Sequence, residues 1–392
     1  MRASVFVIFL SIVLFIYFVV NFYIFRRGWQ ALSGAGTYRT IFLIGFLILV
    51  LSYPLGRFAE HFSRNGFTEF LVFLGSIYLG MMVYALFLVL IIDVLRLINH
   101  FTGFFPNFIR QNGQKSAEFA TLFVVVVTVL IVLAGYVNTL FPRIRTLELT
   151  IPKTAGNLTE LNLVVASDIH LGTIIRNGHL ERIIERINSL DPDIVLLPGD
   201  IVDEDVGPLV DQNMSATLQK IKSRLGVYAS TGNHEYFGGV ERAVAYIEKG
   251  NIKVLQDTLV KVADAFYVIG RKDRMAERMG NGRKSLAEIM DGVDHRYPLI
   301  LMDHEPIGLD EAEKNGIDLQ LSGHTHHGQL FPFNYITKAV YELSWGYLRK
   351  ESTNYYVSCG VGTWGPPVRT NSIPEIVRII LRFKEKEREM IE

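Results

Sequence analysis

Residues 321–330, LSGHTHHGQL, place three histidines within four positions. The stretch before them, IDLQL (317–321), alternates apolar and polar residues and predicts a short strand ending at Ser322-Gly323. Glycine allows a tight turn there, and the histidines follow at once. In extended chain, residues i and i+2 point the same way, so His324 and His326 address one object while His327 faces elsewhere. Two imidazoles aimed at one point suggest a metal.

Four other segments end in the same manner. The apolar runs LNLVVAS (161–167), DIVLLPG (193–199), GVYASTG (226–232) and PLILMDH (298–304) predict strands. They lead into ASDIH, PGDIVD, TGNHE and MDHEP, so each delivers a polar residue just past its strand. Helical spacing falls between them at 178–190, 209–224 and 240–249 and around 309–315. IKVL, AFYVIG, YYVSCG and EIVRIILRF (375–383) predict further strands. In α/β sheets, ligands gather beyond the carboxyl ends of strands. Asp168, His170, Asp200, Asn233, His304, His324 and His326 are therefore the candidate metal ligands.

Seven ligands exceed the need of one four-coordinate ion and suit two ions sharing a bridge. Asp200 is the natural bridge, since a carboxylate has two oxygens. With no thiolate in the set, manganese, iron, zinc or a similar divalent ion fits better than Cu(I) or an Fe–S cluster. Two such ions outweigh the two aspartates in charge, so the site attracts an anion, phosphate above all. His234 follows the ligand Asn233 directly and is free to act as general acid, with Asp203 as the carboxylate that steadies it.

The five blocks, in this order, resemble the calcineurin-like metallophosphoesterases, whose pattern is D-x-H, G-D-x-x-D, G-N-H-E/D, a lone His and G-H-x-H. GVGTWGPPVRTNSIPEI, 360–376, further resembles the membrane-associated bacterial subgroup. The resemblance implies an α/β fold of two mixed β-sheets packed face to face and flanked by helices. It implies that Asp168, His170 and His326 hold a first metal and Asn233, His304 and His324 a second, with Asp200 bridging. It also implies a dinuclear metal-dependent hydrolase that attacks phosphodiester or pyrophosphate bonds through a metal-bridging hydroxide, with His234 and Asp203 as catalytic residues. His327 has no family role.

The chain has 392 residues, 39 basic against 39 acidic, and a mean hydropathy of +0.26. Zero net charge gives no footprint for nucleic acid. The single cysteine, Cys359, excludes an internal disulfide and a cysteine-rich zinc site. Apolar stretches at about 4–25, 38–57, 67–98 and 117–140 each meet the roughly 20-residue need of a membrane-spanning helix. The expected organisation is a four-helix transmembrane region (1–141), a linker and edge strand (142–158), a phosphoesterase domain (159–385) and a polar tail (386–392). Asp93 is expected at an interface beside Arg96. Four spans put the catalytic domain on the N-terminal side. Flanking charges divide six against six, with Arg2 among them, and choose no orientation.

These features predict an integral protein of a bacterial plasma (inner) membrane acting on a phosphorylated substrate. A lipid-linked substrate such as a UDP-diacylglucosamine, which some relatives cleave, and a soluble phosphoester both remain open, as do a protein phosphatase, a phosphomonoesterase and a non-catalytic scaffold. Few charges inside the spans argue against a transporter. RKDRMAERMGNGRK, 271–284, carries six basic and two acidic residues and is expected either at lipid headgroups or substrate phosphates, or as a solvated excursion. Trp345, Tyr347 and Trp364 are expected in a groove, at the interface or in the core.

Overall fold

The computed structural model describes residues 3–33 and 36–385. Arg2 and the polar tail at 386–392 lie outside the described residues. The chain forms two compact units, Met1–Val137 with Gly365–Val368, and Asn138–Trp364 with Arg369–Glu392.

In the first unit, the helices Ala3–Ala31, Thr37–Phe62, Gly66–Thr102 and Gly113–Thr139 are each long and apolar enough to cross a membrane. The second and third pack closely because Gly75 carries no side chain. A Cβ there would lie 2.3 Å from the Tyr53 backbone nitrogen. Asp93 is compensated locally, 2.6 Å from Arg27 and 3.6 Å from Arg96, and it accepts a hydrogen bond from the Tyr23 hydroxyl.

Among the described residues, the second unit holds twelve strands. They are β1 (Arg143–Ile151), β2 (Glu160–Val165), β3 (Ile194–Pro198), β4 (Val227–Ser230), β5 (Lys253–Val254), β6 (Thr258–Val262), β7 (Phe266–Gly270), β8 (Leu299–Met302), β9 (Leu319–Ser322), β10 (Gly346–Lys350), β11 (Thr353–Val357) and β12 (Glu375–Phe383). One sheet runs β1-β12-β2-β3-β4-β5 and the other β10-β11-β9-β8-β7-β6. Both are mixed. Only β12–β2 is antiparallel in the first, whereas β10–β11 and β6–β7 are antiparallel in the second.

The apolar runs explain this layering. Along β2, Leu163 and Val165 point into the space between the sheets and meet Phe266, Ile300, Leu319 and Tyr356. Val164, between them, points to the outer face, where Ile183 and Ile187 of the helix Asn177–Asn188 cover it. Leu286, Ile289 and Leu309 cover the outer face of the second sheet. Strands buried on both faces read as continuous hydrophobic runs, as observed. β1 lies within 142–158, the stretch expected to combine a linker with an edge strand. It occupies the edge of its sheet in a nine-residue parallel register against β12.

Two local expectations are corrected. The stretch 209–224 is not one helix. It forms two five-residue helices, Gly207–Asp211 and Met214–Leu218, because Asn213 between them adopts a left-handed φ of 51°. The basic segment 271–284 is not a solvated excursion throughout. Arg271 is buried, the Arg283 side chain is 6% exposed, both pair with Asp303, and Arg271 also pairs with Glu311, while Arg278 and Lys284 are exposed.

The core makes a direct prediction. Ile379 on β12 is fully buried between the sheets. Its replacement by alanine should cost about 2–5 kcal/mol, read as a lowered unfolding midpoint in detergent. An unchanged midpoint would show that β12 is not the spine of its sheet.

Candidate metal centre

β2, β3 and β4 are parallel neighbours in one sheet, and β8 and β9 are parallel neighbours in the other. Their carboxyl ends therefore open on one side. Asp168, Asp200, Asn233, His304 and His324 all stand two or three residues beyond those ends. The backbone there is strained. Asp168, His170, Asp200, His324 and His326 have φ between 45° and 70°, a region that costs a non-glycine residue about 1–3 kcal/mol. Such strain collects where side chains must be aimed.

The structure brings all seven expected ligands together. His170 Nε2 lies 3.0 Å from His326 Nε2, which is 3.4 Å from Asp168 Oδ1. His304 Nε2 lies 3.1 Å from Asp200 Oδ2, and His324 Nδ1 lies 2.8 Å from Asn233 Oδ1. Asp200 Oδ2 is also 3.8 Å from His170 Nε2, so this carboxylate faces both groups. Asp168, His170 and His326 form one candidate metal cluster, and Asp200, His304 and His324 another.

The strand-spacing reading aims His324 and His326 at one object, whereas the resemblance assigns them to different metals. Both residues are left-handed, and His326 begins a 3₁₀ turn, so the two side chains do not project as in a strand. They diverge, one to each cluster. His327 turns away, its ring 5.2 Å from that of Trp345 and its Nδ1 3.1 Å from Ser344 Oγ. Trp345, Tyr347 and Trp364 are all exposed, which excludes the core reading for them.

The donor set fits cations. Two donors bound to one ion at about 2.1 Å lie roughly 3.0–3.4 Å apart, and most of the distances above fall in that range. Asp168 Oδ2 and His304 Nε2 are buried without a hydrogen-bond partner. His304 Nδ1 is 2.8 Å from the Pro198 carbonyl oxygen, an arrangement in which Nδ1 carries the hydrogen and Nε2 keeps its lone pair. Burial opposes a charge on His304, but Asp200 raises its pKa well above the ordinary value, so this nitrogen faces a carboxylate that calls for positive charge between them.

His234 stands at the side of the clusters. Its Nδ1 lies 3.1 Å from Asp203 Oδ1, and the same oxygen is 3.3 Å from His170 Nδ1. Asp203 thus touches a candidate ligand as well as the candidate acid. Burial opposes its charge, but hydrogen bonds from His170 and His234 hold its carboxyl below the usual range. Burial likewise opposes the charge on His234, yet Asp200 and Asp203 raise its pKa to about 9. His234 is therefore protonated at neutral pH in the metal-free protein.

Two supporting residues escaped the sequence reading. Glu235 is fully buried and accepts hydrogen bonds from the backbone of Asp200, Ile201, Val202 and Gly232, at 2.7–3.1 Å. Its signal was the acid three residues after Gly232, the pattern of a capped helix start. Arg369 is also fully buried, and its Nη2 donates to His326 Nδ1 at 3.0 Å. Nothing local in the sequence marks that contact, which spans 43 residues.

The fold and its cluster define a chain of the metal-dependent phosphoester hydrolase type. The family model "Calcineurin-like phosphoesterase" matches residues 161–328. The chain is 31% identical over 261 residues to an uncharacterized metallophosphoesterase of Aquifex aeolicus, covering 66% of this chain and 98% of that one. An uncharacterized metallophosphoesterase of Campylobacter jejuni is 28% identical over 390 residues, covering 97% of this chain and 100% of its own. A Danio rerio "transmembrane protein with metallophosphoesterase domain" is 33% identical over 276 residues, 67% of this chain and 62% of that one. The present chain thus spans less than two thirds of the Danio rerio relative. It belongs to the calcineurin-like metallophosphoesterase family.

Gly323 offers a test of the ligand placement. A Cβ at this position would lie 2.2 Å from Asp168 Oδ2. Gly323→Ala should weaken metal retention by about tenfold or more while the circular dichroism spectrum is kept. Metal analysis after dialysis reads the outcome, and retention equal to wild type would remove Asp168 from the ligand set.

Proposed function

We propose that this protein is a membrane-anchored phosphoesterase that hydrolyses phosphodiester or pyrophosphate bonds at a two-metal site. The observation that carries the reading is the position of Asp200 Oδ2, facing His170 on one side and His304 on the other. Asp168, His170 and His326 would hold one ion, and Asn233, His304 and His324 the second, with Asp200 common to both. Two divalent ions held by these residues would supply an activated water and offset charge on the phosphoryl oxygens. Manganese, iron and zinc all suit the nitrogen and oxygen donors.

The chain's own residues complete the chemistry. Asp203 holds His234 by Nδ1 and leaves Nε2 to carry a proton to the departing oxygen. In the metal-free protein burial opposes the His234 charge, but Asp200 and Asp203 raise its pKa to about 9, which keeps that proton in place at neutral pH. Phe237 packs edge-on against the ring at 5.4 Å and limits its rotation. Glu235 holds the backbone that carries Asp200.

The apolar helices support a substrate met at the bilayer, such as a lipid-linked diphosphate of the UDP-diacylglucosamine kind. With four spans, the N-terminus and the phosphoesterase unit share one side of what we propose is a bacterial inner membrane.

Hydrolysis of a chromogenic phosphate bis-ester and its mono-ester by the detergent-purified chain with Mn²⁺ tests the reading. The bis-ester should be the better substrate, and chelation should abolish turnover until Mn²⁺ is restored. His234→Ala should lower kcat about 10²–10³-fold with metal content retained. Asn233→Ala should lose both activity and metal, and Asp203→Asn should lower kcat about 10-fold or more. Preference for the mono-ester would move the reading to a phosphomonoesterase or protein phosphatase. Full metal loading with neither ester cleaved, nor a lipid-linked diphosphate, would favour a scaffold.

A further inference from the structure

The third histidine of the opening motif leads to a second site. His327, Trp345, Arg143, Arg145, Asn371 and Glu375 line a cavity of about 330 Å³ that contains none of the candidate metal ligands. We infer that this cavity seats the phosphate group of an anionic phospholipid from the surrounding leaflet.

Charge is the first argument. Arg145 uses its Nε on Glu375 Oε2 at 3.2 Å and lies over the Trp345 ring at 4.8 Å. Trp345 Nε1 donates to the other oxygen of Glu375 at 3.1 Å. Glu375 is 2% exposed, so one buried carboxylate fixes both the guanidinium and the indole. The Nη atoms of Arg145 have no protein partner among the described residues. Arg143 is exposed, and its side chain also has none. Two arginines against one carboxylate leave a net positive cavity with unused donors, the chemistry that recognises phosphate.

Location is the second argument, and it selects the source of that phosphate. Asn138 is the next-to-last residue of the helix Gly113–Thr139, which is long and apolar enough to cross a membrane. Its Nδ2 donates to the carbonyl oxygens of Arg369 at 2.9 Å and Ser372 at 3.0 Å. Ser372 is itself part of the cavity wall. Chain order and these hydrogen bonds tie the cavity wall to the residue that closes a candidate span, which on this inference brings the cavity near the lipid headgroups. Phe141, Ile144, Trp345 and Tyr347 are exposed beside the arginines. Aromatic and apolar side chains next to unpaired arginines are what an anionic bilayer surface selects. A soluble phosphate would have no use for them.

Fluorescence of Trp345 reads this site without any turnover, so the result is independent of the phosphoesterase reading. The full chain carrying Trp29→Phe and Trp364→Phe keeps Trp345 as its sole tryptophan. It would be placed in nanodiscs containing phosphatidylcholine or phosphatidylglycerol brominated near the acyl carbonyl. Phosphatidylglycerol should quench Trp345 at least about twofold more than phosphatidylcholine at equal mole fraction. Arg143→Gln, which removes an exposed side chain without a protein partner, should remove half or more of that excess. Equal quenching by the two lipids, or an excess that Arg143→Gln leaves intact, would overturn the inference. So would inorganic phosphate abolishing the excess at millimolar concentration, which would mark the cavity as a soluble-anion site.

Discussion

The structure turns on the burial of one carboxylate. Asp200 is 2% exposed and faces histidines carried by different sheets, His170 following β2 and His304 following β8. Its other oxygen accepts the backbone N–H of His234 at 3.0 Å. A carboxylate withdrawn from water is costly unless its surroundings compensate it. Here compensation comes from residues distant in sequence, so the sheets must meet in one arrangement for it to exist. Glu235 holds the Asp200 loop from behind with backbone hydrogen bonds. Gly199 and Gly232 leave space for it. A Cβ on Gly199 would be 2.5 Å from His304 Nδ1, and one on Gly232 2.2 Å from Asp200 Oδ1.

The same logic explains charges that look superfluous in the sequence. Arg271 and Arg283 converge on Asp303, the residue before His304. Buried ion pairs contribute little net stability after desolvation, but they set geometry. In this position they fix the turn from which His304 reaches the site. Arg271 and Arg283 thereby act as a buttress, and their charge is met by Asp303 inside the protein. Arg369 plays a comparable part behind His326, with its guanidinium spent on the Cys359 and Gly362 carbonyls, Ser372 and the imidazole.

The RTNSIPEI stretch serves two faces of the phosphoesterase unit. Its arginine reaches the metal cluster, while its glutamate organises the cavity that holds Arg145 and Trp345. The HTHH turn does the same in miniature. His324 and His326 face the two clusters, and His327 faces the cavity. One short turn, held by left-handed residues, therefore separates the candidate metal centre from the cavity of Arg145 and Trp345.

Periodicity and residue type were enough to read the apolar helices, the strands that build the two sheets, and the seven side chains gathered at the strand ends. Those features are local. An apolar run buried on both faces needs no partner to be recognised, and Asp, Asn and His just past such runs are conspicuous. Strand spacing alone could not show where His324 and His326 point, because that depends on left-handed backbone that only surrounding contacts sustain. Nor could it reveal the break at Asn213, the shared hold of Asp203 on His170 and His234, or the partners of Arg271, Arg283 and Arg369. Apart from the break at Asn213, these are pairings between separate segments of the chain. Such pairings are decided by the packing of one sheet on the other, where burial leaves a charged or polar group no option but the partner that tertiary structure presents.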